Sequence, residues 1–435
     1  MIRIKLQHLL LLSLLALNIF TVAAQENWTS WSHFISTKGY EGRPFRMQAS
    51  VKSMVQDDSA SARLWARVDL KSGGSGFFEN MWKKPIRSTE WKTYTIEGTI
   101  DTAATRLVIG ALCELNGKFS FDNFKVEVAD NDKKWKTIYS ADFDKGLEGW
   151  SQGIGFGEIG VNKSFAGNAA IQTGSNKSLV ITGTNVPNYG NDKKVGKFAS
   201  INGIKLYYEI YGQGQPLVVL HGNGGSISSA ATHYPELIKK YKVIAIDSRG
   251  QGQSTDTDQP MNYDMMASDV NALLDQLHVD SAFFWGQSDG AILGLLMAMD
   301  YPKKVKRVIA CGANVQPDSS AVYGWAVTAV NRVISTSKDP KEVKLWTMMR
   351  DYPHIPYEKL HTIKAPVLIM GGDRDVIRPE HLVKMFQNIP NSQLCILPGT
   401  THGEAWDKKD QFLKILFDFF DKPFTMPDTA DWFKE

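Results

Sequence analysis

The stretch of sequence that decides the fold is Ala282-Phe283-Phe284-Trp285-Gly286-Gln287-Ser288-Asp289-Gly290-Ala291-Ile292-Leu293. An apolar run, a serine between two glycines in the pattern G-x-S-x-G, and a second apolar run that continues to Met299 predict a strand, a sharp turn and a helix. Glycine at positions 286 and 290 leaves room for a turn that lifts Ser288 out of the sheet. The five-residue pattern alone would be weak evidence, but in this context it predicts a nucleophilic serine.

Strands and helices alternate on both sides of this stretch. Residues 217–220, 243–246, 305–310, 367–370 and 394–397 form continuous apolar runs, which are typical of parallel strands buried on both faces. An amphipathic helix is predicted where apolar residues recur at helical spacing, at Met266, Val270, Leu273, Leu274 and Leu277. The alternation predicts an α/β sheet of the doubly wound type.

Candidate partners for Ser288 follow two of the later strands. A serine at neutral pH is a poor nucleophile and needs a base, which is in turn oriented by an acid. Asp373 and Asp375 follow the run at 367–370, and His402 follows the run at 394–397. Because the carboxyl ends of parallel strands meet at one edge of a sheet, these side chains are expected to lie near Ser288. Both aspartates stay open as the acid at this point.

These motifs resemble the α/β-hydrolase superfamily over about residues 197–420. Members carry an H-G-x loop, a D-x-R-G-x-G-x-S loop, the serine turn, a G-x-x-D motif and a late histidine; here these are His221-Gly222-Asn223, residues 247–254, Ser288, residues 372–375 and His402. The resemblance implies an α/β-hydrolase fold with Ser288 as nucleophile, His402 as base and Asp375 as acid, since the family spacing selects Asp375 over Asp373. Residues 287–290 and 311–314 are similar to valacyclovir-hydrolase-like esterases.

The resemblance also implies the surroundings of the serine. The backbone N–H groups of Asn223 and Asp289 would stabilise the oxyanion that forms when a carbonyl is attacked. The Asp289 side chain is a candidate contact for a cationic group of the substrate, and a structural role for it stays open. Members carry a short helical cap, here at about residues 314–360, in which Trp325 and Trp346 are candidate substrate contacts. Any packed cap would contain similar apolar residues.

The N-terminus resembles a targeting signal. Arg3 and Lys5 precede an apolar run at residues 9–20, and small residues follow at Val22-Ala23-Ala24. This pattern predicts a cleaved signal peptide over residues 1–24 and an exported protein, periplasmic or secreted. The alternative is an uncleaved anchor, but the run is shorter than the roughly 20 residues that a membrane span needs. No later segment is long and apolar enough to predict a membrane span in the mature chain.

Residues 25–192 have a different character. Short segments alternate apolar and polar residues and are joined by Gly, Asn and Ser turns, which predicts an all-β sandwich of jelly-roll type. Residues 121–124 and 143–150 weakly resemble carbohydrate-binding modules, and seven of the twelve tryptophans lie in this part. Two interpretations of these tryptophans therefore stay open: they bind a glycan at the surface, or they fill the hydrophobic core. A polar linker at residues 187–194 separates this module from a hydrolase domain predicted over residues 193–435.

Composition argues against other classes of function. The chain has 435 residues, more than one domain of roughly 150 residues would contain. Its 49 lysines and arginines nearly balance 46 aspartates and glutamates, without long runs of one sign, which disfavours a nucleic-acid partner. The three cysteines, Cys113, Cys311 and Cys395, fit neither a disulfide framework nor a zinc site. No metal or organic cofactor is expected.

Together these features predict an exported serine hydrolase that cleaves a carboxylic ester, small or attached to a polymer, through an acyl-enzyme. One alternative is an amidase, peptidase or acyltransferase that uses the same three residues. The other is a non-catalytic glycan-binding protein with an inert hydrolase fold. The intact pattern of serine, aspartate and histidine speaks against the second alternative, because folding alone does not require those residues at three strand ends.

Overall fold

The computed structural model describes residues 27–433 apart from residue 131, residues 156–158 and residues 174–175. Contacts divide the chain into a unit over Glu26–Asn188 and a second unit that contains Tyr189–Glu435. The predicted signal peptide at residues 1–24 lies outside the described residues, so export stays a prediction. Within the described part, no helix has the length and apolar character needed to cross a membrane.

The N-terminal unit consists of strands in two antiparallel sheets. The strands are β1 (Trp28–Ser36), β2 (Pro44–Val55), β3 (Ser61–Leu70), β4 (Ser75–Glu79), β5 (Lys92–Thr99), β6 (Ala104–Glu114), β7 (Gly117–Ala129), β8 (Trp135–Ala141), β9 (Ser151–Gln152), β10 (Phe165–Thr173) and β11 (Asn176–Gly183). One sheet has the order β4-β3-β6-β1-β9, and the other has the order β10-β11-β7-β2-β5, with β8 paired to β7. The late strands β9 to β11 thus extend both sheets.

Side chains from both sheets share one hydrophobic core. Phe45 and Met47 on β2 and Leu64 on β3 belong to the same buried cluster. Their alternate positions along each strand explain the period-two pattern, because successive side chains point to opposite faces. The unit is therefore β-rich with an apolar interior, and its classification as a jelly roll remains a prediction.

The tryptophans of this unit divide between the core and the surface. Trp82 and Trp135 are 66% and 38% exposed. The guanidinium carbons of Arg63 and Arg46 lie 4.5 Å and 4.4 Å from the centroids of these two rings, so each ring also makes a cation–π contact. The core interpretation applies to three other tryptophans, which are buried: Trp31, Trp65 and Trp150.

The second unit contains one eight-stranded sheet of order β12-β13-β15-β14-β16-β17-β18-β19. Its strands are β12 (Lys197–Ile201), β13 (Ile204–Tyr211), β14 (Gln215–Leu220), β15 (Tyr241–Ile246), β16 (Ala282–Gln287), β17 (Val305–Cys311), β18 (Val367–Gly372) and β19 (Ser392–Leu397). The six strands β15, β14, β16, β17, β18 and β19 are parallel to their neighbours. Strand β13 pairs antiparallel with β15, and β12 pairs antiparallel with β13. All predicted apolar runs are strands of this sheet.

Helices cover both faces of the sheet. They are α1 (Tyr234–Leu237), α2 (Tyr263–Gln276), α3 (Asp289–Asp300), α4 (Gly324–Thr336), α5 (Pro340–Asp351), α6 (Tyr357–Leu360), α7 (Pro379–Asn388), α8 (Glu404–Asp407) and α9 (Lys409–Asp421). Val218 on β14 packs in one core with α2 and α3, while Leu217 and Val219 pack in another core with α9. Because both faces are buried, each strand is continuously apolar, which is the pattern from which the doubly wound fold was predicted.

Three helices interrupt the sheet between β17 and β18, where the sequence predicts a cap at about residues 314–360. They are α4, α5 and α6. The second of them begins where the Asp339 side chain accepts a hydrogen bond from the backbone N–H of Lys341, with Pro340 in its first turn. Asp339 thereby satisfies a backbone N–H of the first turn that has no acceptor within the helix, and proline is favoured at this position. The start of this helix therefore follows from the local sequence.

Candidate active site

Ser288 lies at the turn between β16 and α3 in a backbone conformation that few residues adopt. Its φ is 54° and its ψ is −117°. A Cβ atom at Gly286 would lie 2.0 Å from the carbonyl oxygen of Gly290, and one at Gly290 would lie 2.2 Å from that of Leu220. No side chain fits at either position, so the two glycines of the motif permit the strained turn that presents Ser288.

His402 and Asp375 form a hydrogen-bonded pair beside this turn. The His402 Nδ1 and Asp375 Oδ1 atoms are 2.6 Å apart. Asp375 is 4% exposed, and its Oδ1 atom also accepts a hydrogen bond from the backbone N–H of Ile377. Burial would raise the pKa of Asp375, but the adjacent imidazolium and these hydrogen bonds lower it. This hydrogen bond occupies Nδ1 and thereby fixes the orientation of the imidazole ring.

The same environment raises the pKa of His402. Burial alone would lower it, but the attraction and hydrogen bond of Asp375, with the negative charges of Glu404 and Asp289, raise it to about 9. The ordinary pKa of a histidine is about 6.5. His402 is therefore a stronger base than a histidine in water.

Asp373, the competing candidate acid, bonds to the backbone of the loop that carries His402. Its Oδ1 atom accepts hydrogen bonds from the backbone N–H groups of Gly399 and Thr400, at 2.7 Å and 3.2 Å. It thereby ties the loop after β18 to the loop that carries His402. The structure thus pairs Asp375 with the histidine and assigns Asp373 to the support of the histidine loop.

Contacts between loops bring the serine turn and the histidine together. The Gln287 side-chain amide donates a hydrogen bond to the carbonyl oxygen of His402 at 2.5 Å. A Cβ atom at Gly312, where φ is +60°, would lie 2.7 Å from His402 Cε1. The backbone N–H of Ser288 donates to the carbonyl oxygen of Cys311, next to Gly312. The ends of β16, β17 and β19 therefore surround the imidazole.

The loop predicted to stabilise an oxyanion also lies at Ser288. A Cβ atom at Gly222 would lie 3.1 Å from the Cβ of Ser288. His221 holds this loop, because its ring contacts the Gly222 carbonyl oxygen through Nδ1 at 2.7 Å and accepts from the Ser248 N–H through Nε2 at 3.0 Å. Burial lowers the pKa of His221 to about 4, so its ring is neutral and Nδ1 carries the proton.

Backbone donors occur at both predicted oxyanion positions. The N–H of Asp289 lies in the first turn of α3, where a helix offers it no internal acceptor. Asn223 directly follows Gly222, and its side-chain amide donates to the carbonyl oxygen of Leu345 in α5 at 3.2 Å. The Asn223 side chain thus anchors the loop to the cap, and the role of its backbone N–H in stabilising an oxyanion stays a prediction.

The candidate substrate contacts have different environments. Asp289 is 2% exposed, and its Oδ1 atom accepts a hydrogen bond from the Tyr263 hydroxyl at 2.9 Å. Its Oδ2 atom has no hydrogen-bond partner within the described residues, and burial raises its pKa to about 6. Trp325 is 62% exposed on α4, and Trp346 is partly buried on α5. Both tryptophans thus belong to the cap helices, and their contact with substrate stays a prediction.

The loop of residues 247–254 has a structural role. Both carboxylate oxygens of Asp247 accept backbone hydrogen bonds, from Ile227 and Gln253. Arg249 forms a buried ion pair with Asp269 at 2.7 Å. These groups brace the loop, whose Ser248 N–H donates to His221.

Three nearby residues were not predicted from the sequence as parts of the site. Gln287 bonds to the histidine loop, Gly312 makes room for the imidazole, and Glu404 is a fully buried carboxyl group. A sequence signal exists only for Gly312, since glycine directly after a buried strand often marks a close approach. No cluster of three or more potential metal ligands occurs in the described part of the chain.

Comparison with known proteins follows the same division of the chain. The sequence model of the family described as "alpha/beta hydrolase fold" matches residues 215–333. The serine hydrolase BPHL of Homo sapiens is 26% identical over 248 residues, which cover 51% of this chain and 84% of that protein. A protein of Azorhizobium caulinodans named as a candidate carbamate hydrolase, RutD, is 31% identical over 249 residues, which cover 49% of this chain and 94% of that protein.

Solved structures give the same kind of match. An esterase from Exiguobacterium antarcticum is 24% identical with a TM-score of 0.48, covering 52% of this chain and all of that chain. Like the curated relatives, it matches about half of the present sequence.

Proposed function

The chain belongs to the α/β-hydrolase family, and we propose that it is an exported serine hydrolase that cleaves carboxylic esters through an acyl-enzyme. The observation that carries the proposal is the strained, glycine-flanked turn at Ser288, with the His402–Asp375 pair held beside it by Gln287 and Gly312. A strained conformation at a residue flanked by a base is typical of a nucleophile. Export is proposed from residues 1–24 alone.

The proposed mechanism assigns each group one task. The Ser288 hydroxyl attacks the ester carbonyl while His402 Nε2 takes its proton. Asp375 holds the Nδ1–H of His402 and stabilises the imidazolium, and the backbone N–H groups of Asn223 and Asp289 donate to the oxyanion. His402 then returns the proton to the leaving alcohol. A water molecule activated by His402 hydrolyses the acyl-enzyme and frees Ser288.

A panel of activated substrates tests this proposal. With p-nitrophenyl esters, we expect a burst of p-nitrophenol about equal to the amount of enzyme, because acylation releases the alcohol before the acyl group is hydrolysed. Matched anilides and added alcohol acceptors separate ester hydrolysis from amidase and acyltransferase activity. Hydrolysis of anilides in preference to esters would show that the protein is an amidase and would contradict the proposed esterase activity. Inclusion of amino-acid esters tests whether Asp289, which has an unpartnered carboxylate oxygen, favours cationic substrates.

The pH dependence of turnover follows from the environment of His402. Its pKa is raised, and only the neutral imidazole accepts the serine proton. We therefore expect kcat/KM for a neutral ester to rise with pH, with a midpoint above the value of about 6.5 for an unperturbed histidine. A flat profile would contradict a histidine base, and a midpoint at or below 6.5 would contradict the proposed effect of its neighbours.

Glycan binding by the N-terminal unit is a finer proposal that rests on its two exposed tryptophans. We expect Trp82→Ala with Trp135→Ala to reduce pull-down of the full chain on insoluble polysaccharides, because aromatic faces stack on sugar rings. Turnover of a small soluble ester should stay unchanged. Buried Trp65 is unsuitable for this test, so Phe78→Ala, which removes another exposed aromatic ring, serves as the control. Equal pull-down of all variants, or none by the unaltered protein, would contradict glycan binding through these rings.

A further inference from the structure

Glu404 is a carboxyl group buried completely beside the proposed catalytic histidine. It follows His402 by two residues, begins the short helix α8 and is 0% exposed. Neither of its carboxylate oxygens has a hydrogen-bond partner of standard geometry within the described residues, although the Gln287 amide and the Cys311 thiol are donors that act on this carboxyl. A buried ionised carboxylate without partners is unfavourable, so a glutamate at such a position calls for a physical explanation.

The titratable groups around Glu404 come from several strand ends. His402 and Asp375 act on it from the loops after β19 and β18. Cys311 at the end of β17 and Cys395 on β19 also interact with the charge of Glu404. Burial raises the pKa of both thiols, which keeps them neutral. The Asp289 carboxyl in α3 also acts on the imidazole. His402 is thus the cationic group in this set.

Burial raises the pKa of Glu404 to about 8, with a further contribution from Asp375, while the positive charge of His402 opposes the increase. The neutral form of Glu404 is therefore favoured, while ionised Asp375 holds His402. Glu404 acquires charge over the range in which His402 loses its proton. A negative charge on Glu404 in turn favours the imidazolium. The two groups titrate as a coupled pair.

We propose that Glu404 is a positioning residue for His402, and that its buried carboxyl group sets the pH at which His402 becomes a neutral base. The inference rests on the proposed function, since it concerns the base of that reaction. The Gln287 amide links the two groups structurally, because it bonds to the His402 carbonyl oxygen and also acts on the Glu404 carboxyl. A residue that only filled space would change folding or maximal rate without displacing the pH profile.

The experiment compares the pH dependence of kcat/KM in the unaltered protein, Glu404→Gln and Glu358→Gln. The Glu358 side chain is exposed on the cap, so its variant is a matched control expected to behave like the unaltered protein. Without the second negative charge, the midpoint for Glu404→Gln should move to lower pH by about 1 pH unit or more, since a nearby opposite charge typically shifts a pKa by at least that amount. An unchanged midpoint would overturn the proposal, whatever the maximal rate.

NMR titration of the His402 imidazole separates this inference from the proposed function. In the unaltered protein its resonances should titrate in two steps, because a second group ionises beside it, whereas Glu404→Gln should show one step at lower pH. Glu404→Met serves the same purpose if the glutamine variant does not fold. A single step in the unaltered protein would overturn the inference. If the two steps appear but Ser288 proves unreactive, only the proposed hydrolase mechanism fails.

Discussion

Replacement of Ser288 or of His402 by alanine is expected to lower kcat for an ester by about 10⁵- to 10⁶-fold. Each change removes one partner of a single proton transfer, so the remaining partner no longer contributes to catalysis. The double variant should therefore be scarcely slower than either single variant. Steady-state kinetics on active-site-normalised protein, with thermal unfolding to show that the fold is retained, would measure the loss.

Two variants control for general effects of substitution. Ser335 lies exposed on α4 and His361 lies exposed beside α6, so Ser335→Ala and His361→Ala should keep nearly full activity. Multiplicative losses in the Ser288 and His402 double variant would show that the two residues act independently. That outcome would remove the shared mechanism even if each single variant were slow.

The second large loss of activity is expected when Asp375, the proposed acid, is replaced. Asp375→Asn is expected to lower kcat by about 10⁴-fold, because an amide at this position favours the wrong tautomer of the histidine and cannot stabilise the imidazolium. Asp373→Asn should have a much smaller effect, since its carboxylate accepts backbone hydrogen bonds from Gly399 and Thr400 and so supports the loop. Rates measured at several pH values distinguish lost orientation from a shifted pKa.

The two aspartates form a matched pair, because both lie in one loop and undergo the same substitution. A reversed ranking would show that Asp373, not Asp375, supports the base in solution. Equal small losses would show that neither carboxylate takes part in the reaction, and would leave the 2.6 Å contact of Asp375 with His402 as a structural feature only.

The sequence sufficed to predict the parallel strands of the sheet and the loops that carry the three candidate site residues. Strands buried on both faces must be apolar throughout, so runs such as residues 367–370 were recognisable without any tertiary information. The turn at Ser288 requires glycine on both sides for steric reasons, so a five-residue pattern is enough to predict it. The placement of Asp375 needed the family spacing, because Asp373 lies on the same loop and has the same chemistry.

The remaining features depend on contacts that a linear pattern does not encode. The antiparallel strands β12 and β13 were not singled out, because polar residues interrupt the continuous apolar runs by which the parallel strands were recognised. The burial of Glu404 could not be foreseen, because nothing in its immediate sequence distinguishes a buried glutamate from the exposed ones that are common in helices. Likewise, the arginines that lie against Trp82 and Trp135 come from different strands.

The central claim is that Ser288 is the nucleophile of a serine hydrolase. A fluorophosphonate probe forms a stable bond with an activated serine, and mass spectrometry of the digested protein locates the adduct. The claim predicts labelling of Ser288 in the folded protein, a rate that rises with pH as His402 becomes neutral, and no labelling after Ser288→Ala. Absence of labelling on Ser288, or labelling that persists in Ser288→Ala, would contradict it.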